Sequence, residues 1–295
     1  MAANGYSSQA EKENLIIAAI LTSDAFLNSV KDLSPRNAAV TETIRTLFHT
    51  LHQPLTPAEI NQILSDSRVK SVGKRLLRNV SQAQGEMEFY FSISFANSPF
   101  LKEMYEHHFS NAFYTNYKIF EDFIFWNKFE KLVKEEVSAL GQCFDVASMK
   151  PTESIAMVGS GPLPLTSIIM HNLLGVRVTC IDINEEAIRV SSQLVKKLGL
   201  EEHIKFVVAD GLYHTYTNHP VAFIAGYVPP KAAILEKIRS DRPKAIVAVR
   251  NADGIFALLY EQLSEAKLIQ VTNSKLLLRS KTNESVKHAT AFLEL

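Results

Sequence analysis

The chain has 295 residues, 46% hydrophobic and 21% charged, enough apolar side chain to fill one large folded domain or two smaller ones and too much for general disorder. Thirty-one Lys and Arg offset thirty-one Asp and Glu, so no net field favours nucleic acid or an anionic membrane, and a small molecule is the expected partner. Cys143 and Cys180 make neither a disulfide framework nor a zinc motif, which suits a reducing cytoplasm. The first apolar run, Leu15 to Leu21, follows Glu11-Lys12-Glu13; it is too short for a membrane span, lacks the basic flank of a signal peptide, and reads as a helix. Helix is predicted through most of the first half, with Leu15, Ala18, Ala19 and Thr22, then Ile44, Leu47, Phe48 and Leu51, at three- and four-residue spacing. Thr56-Pro57-Ala58-Glu59 forms a capping box ahead of Ile60, Ile63 and Leu64. Aromatic residues crowd the stretch from Glu88 to Phe129. Roughly half of them are expected to be core, with Tyr114 and Tyr117 kept as functional because a buried phenol needs a partner.

Near Met149 to Thr152 the periodicity changes. Short β-branched runs at Ser154–Val158, Val176–Ile181, Ile204–Val208, Val221–Ala225 and Ala245–Val249 alternate with helical patterns at 165–174, 185–198, 230–239 and 254–263. Two last strands, Lys267–Thr272 and Ala289–Glu294, have no room for a long helix between them and are predicted as an antiparallel pair. The expected fold class is therefore α/β, a class I methyltransferase-like, doubly wound (Rossmann-type) sheet. An all-helical domain over 1–150 precedes a ligand-binding domain over 151–295.

Val158 runs into Gly159-Ser160-Gly161-Pro162-Leu163-Pro164, and a helix opens near Leu165-Thr166. Glycines let the backbone turn and approach a ligand, and the helix start offers N–H donors. Asp182, followed by Ile183, ends the second strand twenty-one residues after Gly161, the distance at which a carboxylate meets a ribose. Asp210-Gly211 ends the third strand, where an adenine amino group is read, and Gly226-Tyr227-Val228-Pro229-Pro230 follows the fourth as a lining loop. NAD competes for this pattern, but Pro164 takes the position where a dinucleotide binder wants Gly or Ala. S-adenosylmethionine is the preferred ligand. A plain reading, with turn glycines and with Asp182 and Asn184 opening a turn, stays open.

The string Val158 to Ser167 resembles the nicotianamine synthase family, including the bacterial histidine 2-aminobutanoyltransferases that begin opine metallophores of the staphylopine and pseudopaline type. Three further stretches are similar: Gln82 to Glu88, Phe113 to Tyr117, and Arg250 to Gly254 with Leu259-Tyr260. The resemblance implies a transferase of class 2.5.1 that moves the 3-amino-3-carboxypropyl group of S-adenosylmethionine to an amine and releases methylthioadenosine. Such an enzyme must hold the amine in line with the chosen carbon and take its proton. The groups that the resemblance offers for this are Glu86, Glu88, Tyr114, Tyr117 and Asp253, with Gln84, Asn116, Arg250 and Tyr260 holding substrate. Plant members carry Glu where Gln84 stands and His where Asp253 stands. These departures favour one transfer onto an amino acid, histidine above all, over the plant reaction in which S-adenosylmethionine is donor, acceptor and repeat donor.

The remaining expectations are bland. His49 with His52, and His107-His108, lack further ligands, so no metal is expected. Lys70, Lys74, Arg75 and Arg78 read as a solvated helix face. The expected partners are a small-molecule amino-acid acceptor and, as pathway neighbour, a downstream opine dehydrogenase. A homodimer is admitted, and no nucleic acid or membrane is expected. A small-molecule methyltransferase and a non-catalytic sensor are the alternatives from other classes.

Overall fold

The computed structural model describes residues 9–107, 115–252, 254–260, 266, 269–270, 273–280 and 288–295. The chain forms two compact units, one taking it through Met87 together with Ala252–Tyr260, the other taking Glu88–Asn251 and Glu261–Leu295. The periodicity change near residue 150 marks the first long strand. The packing division falls earlier, after Met87, because the helix over 126–143 lies against the sheet's own first helix.

The first unit is helical: α1 (Gln9–Ser29), α2 (Ala38–Leu51), α3 (Pro57–Ser65), the part of α4 (Ser67–Asn97) up to Met87, and a 3-10 turn at Gly254–Leu258. Ile16, Ile20, Ile44, Leu47, Leu51 and Leu76 are fully sequestered from water in it. The capping box forms as the spacing predicts, with Thr56 Oγ1 accepting from Glu59 N at 3.3 Å and Glu59 Oε2 accepting from Thr56 N at 2.6 Å. Lys70, Lys74, Arg75 and Arg78 are exposed, as a solvated face requires, and from that face the Arg75 guanidinium also pairs with the buried Asp24, Nε to Oδ1 at 3.0 Å. His52 sits edge-on to Phe256.

The second unit opens with the rest of α4, α5 (Leu101–Met104), a two-residue antiparallel pair of β1 (Glu106–His107) and β2 (Thr115–Asn116), a 3-10 turn at Lys118–Phe120, and α6 (Trp126–Cys143). The aromatic belt packs on itself here: Phe91 on Phe123, Phe95 on Phe120, Tyr117 and Phe120 on Trp126. Then come β3 (Ile155–Val158), α7 (Leu165–Leu174), β4 (Val178–Asp182), α8 (Glu185–Lys197), β5 (Ile204–Val208), β6 (Val221–Ile224), α9 (Lys231–Asp241), β7 (Ile246–Ala252), β8 (Lys275–Arg279) and β9 (His288–Glu294). The sheet order is β5-β4-β3-β6-β7-β9-β8, parallel from β5 to β7, with an antiparallel β8/β9 pair. Helices cover both faces, so β3 and β6 are buried along their whole length and read as unbroken apolar runs. The class I methyltransferase-like architecture is thus present, with one strand misplaced in the sequence reading. Residues 266, 269 and 270 are helical, and the first hairpin strand is β8 rather than 267–272. Six apolar-rich residues satisfy either period. The helix expected over 254–263 is a 3-10 turn in its described part.

At the amino-terminal end of the sheet the buried His219 pairs with a half-buried His214. His219 Nδ1 lies 3.1 Å from the Ser154 carbonyl, which only accepts, so Nδ1 carries the proton and Nε2 accepts from His214 Nε2 at 3.1 Å.

Candidate active site

The parallel strands β5, β4, β3 and β6 end side by side, and the order reverses between β3 and β6, where open α/β sheets bind ligands. Gly159 and Gly161 stand there with φ of +75° and +67°, a conformation that side chains resist. Gly159 N donates to Ile181 O at 2.8 Å. A Cβ at Gly159 would lie 2.1 Å from Val228 Cγ2, so the loop after β6 closes over it. Pro162 and Leu163 are buried, and Pro164 stands at the start of α7 with no side-chain cap. Ser160 Oγ is buried with no conventional hydrogen-bond partner; the weakly donating Cys180 thiol is its polar neighbour.

Asp182 does two jobs. Its Oδ2 accepts from Gly161 N at 2.8 Å and its Oδ1 from Asn184 N at 2.9 Å. It therefore holds the glycine loop and opens the turn into α8 together, and each oxygen keeps a second lone pair. Ile183 beside it is 71% exposed, an apolar side chain held in the open at a strand end. Asp210 Oδ1 caps Leu212 N at 2.9 Å, and a Cβ on Gly211 would meet Val158 Cγ1 at 2.8 Å. Gly226 O accepts from Nζ of the fully buried Lys231 at 2.7 Å, which fixes the turn carrying Tyr227 and Val228.

The side chain that reaches this loop from α4 is Glu88. Its Oε2 lies 2.8 Å from where a Cβ on Gly161 would stand, at a position whose φ of +67° favours glycine. The residue keeps some surface, but its carboxyl end is enclosed. Enclosure first, and the charge of Asp182 second, push its pKa up to about 8, while Arg250 pulls the other way. A carboxyl group poised there exchanges its proton close to neutral pH, and accepts one once it is ionised.

Arg250 is itself nearly inaccessible. Its Nε and Nη2 donate to Glu136 Oε1 and Oε2 at 2.9 and 2.7 Å, and Nη2 also donates to Thr166 Oγ1 at 3.0 Å. Glu136 Oε1 accepts from Thr290 Oγ1 at 2.6 Å as well. At the opposite end of α7, Asn172 donates from Nδ2 to Tyr105 OH at 2.9 Å and to Tyr117 OH at 3.2 Å.

Of the residues expected from sequence, Gly159, Ser160, Gly161, Pro162, Leu163, Thr166, Asp182, Ile183, Asp210, Gly211, Gly226 and Tyr227 stand on or beside the carboxyl ends of β3 to β6. Arg250 and Tyr117 belong to the same unit. Glu86, Gln84 and Tyr260 belong to the other; Glu86 is exposed, turned about 200° around α4 from Glu88. Tyr114 and Asp253 lie outside the described residues, as does the side chain of Asn116. Sequence reasoning missed Glu136, Lys231 and Thr290. Glu136 left a signal, a carboxylate on the stripe Leu132, Val133, Ala139 and Leu140 that α6 buries.

The family described as nicotianamine synthase protein matches residues 9–286 of the chain. Nicotianamine synthase 2 of Arabidopsis thaliana is 26% identical over 84% of this chain and 75% of its own. An L-histidine 2-aminobutanoyltransferase of Yersinia pestis is 35% identical over 34% of this chain and 37% of its own. Among solved structures, a mutant of MtNAS in complex with S-adenosylmethionine superposes with a TM-score of 0.73 at 17% identity, covering 94% of this chain and 97% of the other. The matched span takes in the glycine loop, Glu88, Asp182 and Arg250 alike, and the chain belongs to the nicotianamine synthase family.

Proposed function

We propose that this chain transfers the 3-amino-3-carboxypropyl group of S-adenosylmethionine to the amine of an amino acid, with histidine as acceptor, and releases methylthioadenosine. The observation that carries the reading is the Glu88 carboxyl group set against Gly161, its pKa pushed up to about 8. The residues present fit an adenosyl sulfonium: two positive-φ glycines, the buried hydroxyl of Ser160, spare lone pairs on Asp182 and an exposed Ile183. Family membership and the aminobutanoyltransferase relatives support the same chemistry.

The bound sulfonium supplies a carbon electrophilic enough to alkylate a free amine; the C–S bond breaks with its electron pair on sulfur, and a C–N bond forms. The protein's part is placement and proton transfer. An ammonium has no lone pair to attack with, so Glu88 takes its proton. Asp182 holds Gly161, and thereby the loop under Glu88, in one conformation. Arg250 supplies a fixed positive charge to a substrate carboxylate. In this reading the product passes to an opine dehydrogenase.

A second reading, repeated transfer to give nicotianamine, draws on the match to plant enzymes over most of both chains. One experiment separates them: S-adenosylmethionine incubated with the protein, with and without L- and D-histidine, and the products weighed. A singly extended histidine with methylthioadenosine is expected. Nicotianamine formed equally well without histidine favours the second reading, and S-adenosylhomocysteine would make the chain a methyltransferase.

A further inference from the structure

The Arg250 ion pair is built more heavily than stability requires. Glu136 has no exposed side-chain surface and Arg250 only 8%. Replacing such a buried pair with apolar side chains of the same volume is often neutral or stabilising, so stability alone is a weak account of it. Four elements meet on it: Glu136 from α6, Thr166 from the first turn of α7, Arg250 from β7 and Thr290 from β9. The bidentate contact and the Thr166 hydroxyl use Nε and Nη2 and stop the guanidinium plane from turning. Nη1 hydrogen-bonds to none of the described residues and is not sealed from solvent. The bond to Thr166, in the first turn of the helix that follows the glycine loop, places the guanidinium beside that loop. Thr290, reaching Glu136 Oε1 at 2.6 Å, sets which way the carboxylate faces.

We propose that Glu136, braced by Thr290, is a positioning residue that holds the Arg250 guanidinium so that its free Nη1 receives a substrate α-carboxylate. The inference rests on the transfer reaction proposed above. Two substrates carry that chemistry, the amino-acid portion of the sulfonium donor and the amino-acid acceptor, and one planar fork serves either.

The test measures discrimination rather than activity alone. Wild type, Thr290→Val, Thr290→Ser and Glu136→Gln are assayed for kcat/KM with S-adenosylmethionine against its decarboxylated form in one arm, and with histidine against histidinamide in the other. Wild type should prefer the carboxylate-bearing compound strongly in one arm, which identifies the source. Thr290→Val should cut that preference about tenfold, the weight of one hydrogen bond to a charged group, by acting on the carboxylate substrate and sparing its analogue. Thr290→Ser should restore it. Equal loss for both compounds would show a merely structural role and overturn the proposal, as would a wild type indifferent to the carboxylate in both arms. Should Glu136→Gln fail to fold, the two Thr290 variants decide alone. Should wild type release no methylthioadenosine, the reaction reading fails instead; calorimetric affinities for the donor pair and the acceptor pair, wild type against Thr290→Val, then judge the brace by the same ratios.

Discussion

Glu88 is under two influences that ligand binding would reverse. Enclosure and Asp182 favour its protonated form and put its pKa at about 8; a sulfonium cation placed beside it favours the anion. Binding of S-adenosylmethionine at pH 7 should therefore release protons, read as a binding enthalpy that changes with the ionisation enthalpy of the buffer. Glu88→Gln should abolish that dependence and lower kcat by about a hundredfold to ten-thousandfold, the usual worth of a positioned base. The sign for stability follows from linkage. A carboxyl group raised from 4.5 to about 8 binds more protons folded than unfolded, so stability falls as pH rises through that window, and Glu88→Gln should flatten the fall in thermal melts. Asp182 was legible as a candidate because strand end and loop stand at a fixed interval; its bond to the loop itself was not. Asp182→Ala should cost about 1–3 kcal/mol in folding stability for the amides of Gly161 and Asn184 left behind, besides weakening donor affinity by calorimetry.

Elements were legible in proportion to their burial on two sides. The strands of the parallel sheet declare themselves as short apolar runs between loop residues, whereas the hairpin strand β8, only half-buried over Leu276 to Leu278, alternates too weakly to stand out from its neighbours. On α4 the chemistry turns on phase. Glu86 and Glu88 are both plausible in sequence, and only the packed helix shows which one reaches Gly161. Arg250 reads as a basic residue at a strand end, but its partners come from residues 136, 166 and 290, pairings that no local pattern carries. The loop after β6 gives a sharp test of element packing. Gly159→Ala adds a methyl group 2.1 Å from Val228 Cγ2 on a backbone with positive φ. It should lower stability by about 1–3 kcal/mol through strain and overpacking, while Val228→Ala in the same chain should return part of the loss in denaturant melts.

For the second unit taken whole, acid tolerance should be set at the end of the sheet remote from the glycine loop. Burial, with His219 alongside, pushes His214 down to about 4, and burial lowers His219 as well. The unfolded chain would bind protons there from about pH 6.5 downward while the folded one does not, so stability should decline as pH falls from about 6.5 toward about 4. His214→Phe should shallow that decline in a series of melts at stepped pH.

The Thr290 brace also has a bearing on time. β9, the last strand along the chain, is inserted between β7 and β8 rather than added at the sheet's edge, and its hydroxyl meets a carboxylate 154 residues earlier. During synthesis the glycine loop and Asp182 emerge and can pair early, and Glu136 and Thr166 precede Arg250, while the carboxylate that holds the guanidinium stays unbraced until β9 leaves the ribosome and enters the sheet, a long-range closure of the slow kind. A nascent chain halted before residue 288 would thus hold the parts of an adenosyl site yet lack the brace behind its charge. Competence to react would arrive in a single late step instead of accumulating with length.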